Sequence, residues 1–422
     1  MSWKAVPMEP SEREAVAGLV TTVFGRGPRP SEAVQRELDL LLEPDRMFVA
    51  HDGPRVVGIG GAYTFDLALP GGAALPMSSI SDVGVAPTHR RRGIMRSVMT
   101  AVLDQAIERE EPIAGLTASE TTIYRRFGFG VATHFQQLNV DTRRLRLAEA
   151  TSRRSRWPAE APTDGSPPLH LADEAEGNAV LPAVWARAYT RTPGELSRNP
   201  NYWATLAVDP EEDREGATAR FVVVHEDEAG EPDGVASYRL DWKWASGGGN
   251  TLVVEDLAAV SDEVETTLLR YLLDVDLITR FQWFAAPVDH PLRWRLADSR
   301  ALDVAMERDH LWLRVLDVAR CLAARRYAVA GGLVIEVVDD DRPALGGRFR
   351  LDAGPGGADC VATTADPDVT LDVADLGSLL LGGVRWSVLA RAGMVDEHTP
   401  GALARADALF RPERTPYCGT HF

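Results

Sequence analysis

Arg90, Arg91, Arg92 and Arg96 crowd around Gly93 where an apolar strand runs into a helix, in the string Val83-Gly84-Val85-Ala86-Pro87-Thr88-His89-Arg90-Arg91-Arg92-Gly93-Ile94-Met95-Arg96. The backbone N–H groups of a helix's first turn are unpaired and carry the positive end of its dipole, so such a junction can hold an anion. Gly93 lets the backbone approach a phosphate closely. Cations at a helix N-terminus oppose the dipole, so a solvated basic start with no ligand is a poor account of this cluster. These residues point to capture of a phosphorylated ligand.

Tyr124 is the second residue with chemical potential. It lies in a short predicted helix, Thr121–Phe127, that ends at Gly128, a C-cap type. A tyrosine titrates near 10, so it is protonated at neutral pH and can act as a proton donor. Its plain alternative is a packing role. Asp82, just before the Val83–Val85 strand end, either binds a cationic amine or is a strand-end acid facing water.

The elements that must position these residues follow from periodicity. Helices are expected over 11–24 and 31–42, and strands over Met47–Ala50, Val56–Phe65 and Ile80–Val85. A helix from Ile94 to Arg109 repeats Met95, Val98, Met99, Val102 and Ala106 on one face. Ile113–Ala118 and His134–Val140 read as strands, the latter closing an α/β domain over about 1–145. The polar, Pro-rich stretch 151–168 reads as a linker.

A second unit begins at Leu169 and repeats the strand–helix order without the loop chemistry. Near residue 300 the pattern changes to alternating strands and short helices. From Arg411 the chain loses periodicity, which by itself predicts a frayed tail ending at Phe422.

Composition bounds the rest. The 422 residues are 45% hydrophobic and 25% charged, which is ordinary for a multidomain globular protein. With 45 Lys+Arg against 62 Asp+Glu, the net charge is −17. That disfavours a nucleic-acid partner and would attract a polyamine or aminosugar, though solubility alone also explains it. Cys321, Cys360 and Cys418 are far apart and form no CxxC pair, which fits free thiols and a cytoplasmic location. No metal spacing such as HExxH occurs, and no run of about 18 apolar residues suggests a membrane span.

RRRGI resembles the acyl-CoA loop of GNAT acetyltransferases, Arg/Gln-x-x-Gly-x-Gly/Ala. The pattern is met at Arg90 and Gly93 but departs at Met95, a departure shared with the Eis-like (enhanced intracellular survival) subgroup. The strings VAPTHRRRG, ASE-x-x-IY-x-RFGFG and DLGSL, and the terminal Phe, match that family in order from end to end.

The resemblance implies an α/β (α+β) chain of tandem GNAT folds followed by a sterol-carrier-like α/β domain, divided as 1–150, 168–299 and 300–422. It implies a homohexamer and acetyl-CoA as co-substrate, with no metal. Val83, Gly84 and Val85 would bind the acetyl and pantetheine arm as a strand-like edge. Arg91, Arg92, Gly93, Ile94, Met95 and Arg96 would hold the pyrophosphate, and Ser119 and Glu120 would line the cofactor.

Tyr124 would be the proton donor and the terminal carboxylate of Phe422 the acceptor. A free α-carboxyl is acidic for a base at pH 7, but desolvation would raise its pKa. Burial of the Phe422 ring, worth roughly 2–3 kcal/mol, would anchor the tail. Asp82 and His421 are the candidate substrate-binding residues, His421 standing where some relatives carry an acid.

The expected reaction is acetyl transfer to a primary amine of a cationic small molecule such as an aminoglycoside. The alternatives are acetylation of a protein lysine and a lipid-binding carrier with a relic GNAT domain.

Overall fold

The computed structural model describes residues 3–27, 29–144, 169–243 and 249–422. The expected linker 151–168 therefore lies outside the described residues. The chain forms two compact units, each discontinuous in sequence: Met1–Thr133 with Thr192–Val208 and Asp309–Phe422, and His134–Arg191 with Asp209–Arg308. Among the described residues no helix is long and apolar enough to cross a membrane.

The first unit contains a sheet that begins with β1 (Val6–Pro7), β2 (Met47–Asp52), β3 (Arg55–Ala68), β4 (Ala74–Val85) and β5 (Ile113–Thr117). Strand Leu311–Val315 and then β6 (Gly130–Val131) complete it. Helices α1 (Arg13–Val23) and α2 (Glu32–Leu41) pack through Val16, Val20, Val34 and Leu38 against Val49 and Ile59. Ser31 caps α2 by accepting from the Val34 amide at 3.2 Å.

Helix α3 (Ile94–Glu108) buries Ile94, Val98, Met99, Val102, Leu103 and Ala106, the face expected from the 3.6-residue period. Met95 turns out to be only partly buried. Helix α4 (Thr121–Tyr124) continues as a 3-10 turn to Phe127 and stops at Gly128, whose φ of 79° is the left-handed C-cap conformation.

One strand changes places relative to the sequence expectation. His134–Asp141 forms, but it belongs to the second unit, where it pairs antiparallel with Arg280–Pro287. Leu311–Val315 takes the position beside β5, registered from Leu311↔Thr117 to Val315↔Ile113. The crossover is fixed at Thr133: its carbonyl accepts from the His310 amide at 3.0 Å and its hydroxyl from the Leu311 amide at 3.0 Å. Alternation identifies a strand, but the partner is chosen by contacts far away in sequence.

The first unit also holds a five-stranded sheet, ordered Gly357–Ala362, Gly347–Gly354, Gly331–Val338, Val369–Asp372 and Val395–Glu397. Helix Val373–Leu379, which contains the DLGSL string, packs its fully buried length against Leu311–Val315. Gly377 permits this: a Cβ there would stand 2.1 Å from the Leu313 carbonyl oxygen.

The second unit is built on a sheet in which Thr251–Ala259 and Arg280–Pro287 run parallel around helix Asp262–Leu273. This is the same unit as β4–α3–β5 in the first sheet. Helix Glu174–Ala188 contains Pro182, which hides it from propensity reasoning.

Candidate active site

The parallel ladder between β4 and β5 is short, running from Met77↔Ile113 to Ser79↔Gly115. Beyond it the strands separate. On its other side β4 keeps pairing with β3, but with a bulge: Ile59↔Gly84 is followed by Gly61↔Ser81, which leaves Asp82 and Val83 opposite Gly60. Asp82 takes up the strain in the left-handed region, at φ 55°. Ile80–Val85 thus faces the gap with no registered partner on the β5 side, an edge that an extended ligand can extend as a strand.

That gap opens into a cleft of about 1020 Å³, walled by Val83, Gly84 and Val85 and by α3's first turn. Arg90, Arg91 and Arg96 line it, with Arg126 opposite. Gly93 caps α3 at φ 87°, and a Cβ added there would meet open space, so the first-turn N–H groups are approachable. Arg91 also adopts positive φ, 62°, which bends the loop around the helix start.

The expected cofactor residues Val83, Gly84, Val85, Arg91, Gly93, Ile94, Met95, Arg96, Ser119 and Glu120 are thereby brought onto one cleft. Arg92 is exposed and is not among the residues that line it. The donor set, arginines around free helix N–H groups beside an open strand edge, fits the pyrophosphate and pantetheine parts of a coenzyme A thioester.

A smaller pocket of about 230 Å³ adjoins it, lined by Ile80–Val83 on one strand and Leu116–Ser119 on the other. Tyr124, Val83 and Ser119 line both spaces. Phe422 closes the smaller one. The tail from Arg411 lacks regular structure but is not frayed: Pro416, Cys418 and Thr420 are buried. The Phe422 ring meets Phe65 edge-on, with centroids 5.7 Å apart, and Thr117 Oγ1 donates to the Phe422 main-chain oxygen at 3.3 Å. His421 is exposed, its ring edge-on to His310 at 4.5 Å, and is not in the lining of either space.

Burial raises the pKa of Tyr124, against the lowering effect of its hydrogen bond with Ser119, so the phenol stays protonated. Burial also raises Asp82, against the hydrogen bond it accepts from the Tyr63 hydroxyl and the charge of Arg26. Asp82 still reaches the pocket wall.

Several residues that position the site carried no sequence signal. Arg125 ties α4 to helix Val373–Leu379 through Asp375. Glu195 and His310 hold the tail through Gly419 and Thr420. None has a motif, because each acts across more than a hundred residues.

Comparison with known proteins agrees with this geometry. Residues 5–132 match the model of an acetyltransferase (GNAT) domain, residues 194–315 a second one, and residues 318–419 a sterol carrier protein domain. An uncharacterized N-acetyltransferase of Streptomyces coelicolor is 37% identical over 408 residues, 95% of each chain. N-acetyltransferase Eis of Mycobacterium bovis is 35% identical over 369 residues, 86% of this chain and 84% of its own length. The crystal structure of Eis1 from Mycobacterium abscessus has a TM-score of 0.85 at 33% identity, covering both chains completely. With relatives of this similarity along nearly the whole chain, and a cleft whose lining fits a coenzyme A thioester, the chain belongs to the Eis-like N-acetyltransferases of the GNAT fold.

Proposed function

We propose that this N-acetyltransferase moves the acetyl group of acetyl-CoA to a primary amine of a cationic small molecule such as an aminoglycoside. The observation that carries the reading is Tyr124, a buried phenol that lines both the basic cleft and the pocket closed by Phe422. Acetyl-CoA supplies the activated acyl carbon. The residues of the chain orient it and move two protons.

The neutral amine forms the new C–N bond as the C–S bond breaks. The carboxylate of Phe422 takes the proton the amine must lose. Tyr124 gives its proton toward the leaving sulfur and regains one from solvent. Asp82, beside this path, attracts a second ammonium of a polyamine, and the net charge of −17 favours cationic substrates generally. His421, exposed next to the terminal residue but outside both linings, is the weaker substrate-binding candidate. A homohexamer, implied by the family resemblance, belongs to the same reading and is measurable by sedimentation.

The test is release of free thiol from acetyl-CoA with a panel of aminoglycosides, polyamines and lysine peptides. Turnover with the polycations is expected. Turnover confined to lysine peptides would move the reading to protein acetylation, and none with any amine would remove it.

A further inference from the structure

A base made from a chain terminus has a weakness: the last residue of a protein is normally its least ordered part. In this chain an irregular tail is nonetheless held, and the holding groups converge on two residues. Glu195 is 5% exposed, and its Oε2 accepts from the Gly419 amide at 2.8 Å. Its Oε1 accepts from the Thr420 hydroxyl at 2.8 Å and from the Leu196 amide at 3.0 Å. Thr420 is fully buried. Its hydroxyl also accepts from Arg198 Nε at 3.0 Å, and its carbonyl accepts from His310 Nε2 at 3.1 Å.

The segment that carries Glu195 is itself fixed to the end of β3. The Ala68 amide donates to the Glu195 carbonyl at 2.9 Å, and the Gly194 amide to the Ala68 carbonyl at 2.8 Å. The Ser197 amide donates to the Asp66 carbonyl at 2.9 Å, and the Ser197 hydroxyl accepts from the Asp66 amide at 2.7 Å. The Pro193 carbonyl accepts from the Tyr417 amide at 2.9 Å, which starts the tail on the same segment. The last contact in the series is Thr117 on Phe422.

We propose that Glu195 and Thr420 form a buried polar clasp that positions the terminal carboxylate, so that Glu195 is a positioning residue for turnover although it lines neither the cleft nor the pocket. The inference rests on the terminal-base reading. Two groups give it specificity. The carboxylate binds a main-chain amide that any tail sequence would offer, whereas the hydroxyl of Thr420 is met by both Glu195 and Arg198 and selects this residue. Three buried polar partners leave little freedom to shift the tail without breaking a bond.

The experiment uses the full chain with an untagged C-terminus. Thr420→Val keeps the shape of the side chain and removes the hydroxyl, and Thr420→Ser restores it. Glu195→Gln is the matching change on the other side. For Thr420→Val and Glu195→Gln, kcat is expected to fall by about 10²-fold, since a small misplacement of a catalytic group costs that much. KM for acetyl-CoA should stay unchanged, and Thr420→Ser should recover most of the rate.

Carboxypeptidase should release Phe422 from Thr420→Val about tenfold faster than from the parent, a readout of tail release that does not depend on activity. Deleting Phe422 tests the base itself. Lost turnover on deletion with unchanged kcat in the Thr420 and Glu195 variants overturns the clasp alone. Unchanged turnover on deletion overturns both readings. If Glu195→Gln fails to fold, the Thr420→Val and Thr420→Ser pair decides, with thermal melts to show that both are folded.

Discussion

Arg125 and Asp375, 250 residues apart, meet in a two-bond fork, Nη1 to Oδ1 at 2.7 Å and Nη2 to Oδ2 at 2.9 Å. The Asp375 side chain is 1% exposed and sits in the DLGSL helix, while Arg125 follows Tyr124 directly. The turn that carries Tyr124 is therefore anchored to the sterol-carrier-like part of the chain. Arg125→Met leaves a buried carboxylate without its partner, and a loss of roughly 1–3 kcal/mol is expected. The half-exposed guanidinium keeps the figure toward the lower end. Guanidinium-chloride unfolding checks it, and an unchanged midpoint would show that the fork does not hold the turn.

Tyr124→Phe removes the hydroxyl proposed as proton donor and keeps the ring that packs on Phe129, with centroids 6.4 Å apart. The rate kcat should drop by about 10²–10⁴-fold with stability nearly unchanged. Because burial raises the tyrosine pKa, the phenol stays protonated to higher pH than usual. With Tyr124 as the proposed donor, an alkaline limb in kcat is expected above the ordinary tyrosine value near 10, and it should vanish in the variant. A wild-type limb that survives Tyr124→Phe would assign the donor elsewhere.

Residues added after Phe422 convert its carboxylate into an amide and add bulk at the pocket that it closes. A short C-terminal extension is expected to abolish turnover while acetyl-CoA still binds in calorimetry. Full activity with a C-terminal tag would end the terminal-base reading.

Arg96 lines the cleft, with its side chain 63% exposed and a long 3.9 Å ion pair to Asp341. Arg96→Ala should therefore leave the melting temperature alone. KM for acetyl-CoA should rise about tenfold through loss of charge-assisted contacts to phosphate. The difference from the parent should shrink as salt is raised. A salt-independent effect would mean that Arg96 acts through packing on Phe127.

His310 is buried, and desolvation, aided by the nearby His421, pushes its pKa down to about 4. Its hydrogen bond to Thr420 and the charge of Asp309 oppose that shift only in part. A histidine with a folded pKa below its unfolded one near 6.5 contributes stability above that value. The contribution is lost as the pH falls from about 6.5 to about 4. Unfolding measured against pH should show this slope in the parent and a weaker one in His310→Gln. Equal slopes would exclude His310 as its source.

Local order was readable along the chain. The face of α3, the left-handed cap at Gly128 and the basic loop at Gly93 all follow from side-chain types within a few residues of each other. The 3.6-residue period and the conformational freedom of glycine act at that range. The tail was readable only in part. Loss of periodicity at Arg411 correctly marks the end of regular structure, but fraying did not follow, because Glu195 and His310 satisfy the tail's polar groups from elsewhere.

The sequence by itself determined which ligand chemistry the loop can support and that residue 124 is a phenol, ordinarily protonated at neutral pH, since both rest on residue type and short-range geometry. Only the tertiary structure decided that His134–Asp141 leaves the first sheet and Leu311–Val315 enters it, and that Phe422 reaches the pocket of Tyr124. Strand partners and tail docking depend on hydrogen bonds and burial between residues more than a hundred positions apart. No local pattern records such contacts, because the same alternation or the same polar tail is compatible with many partners until the chain has folded.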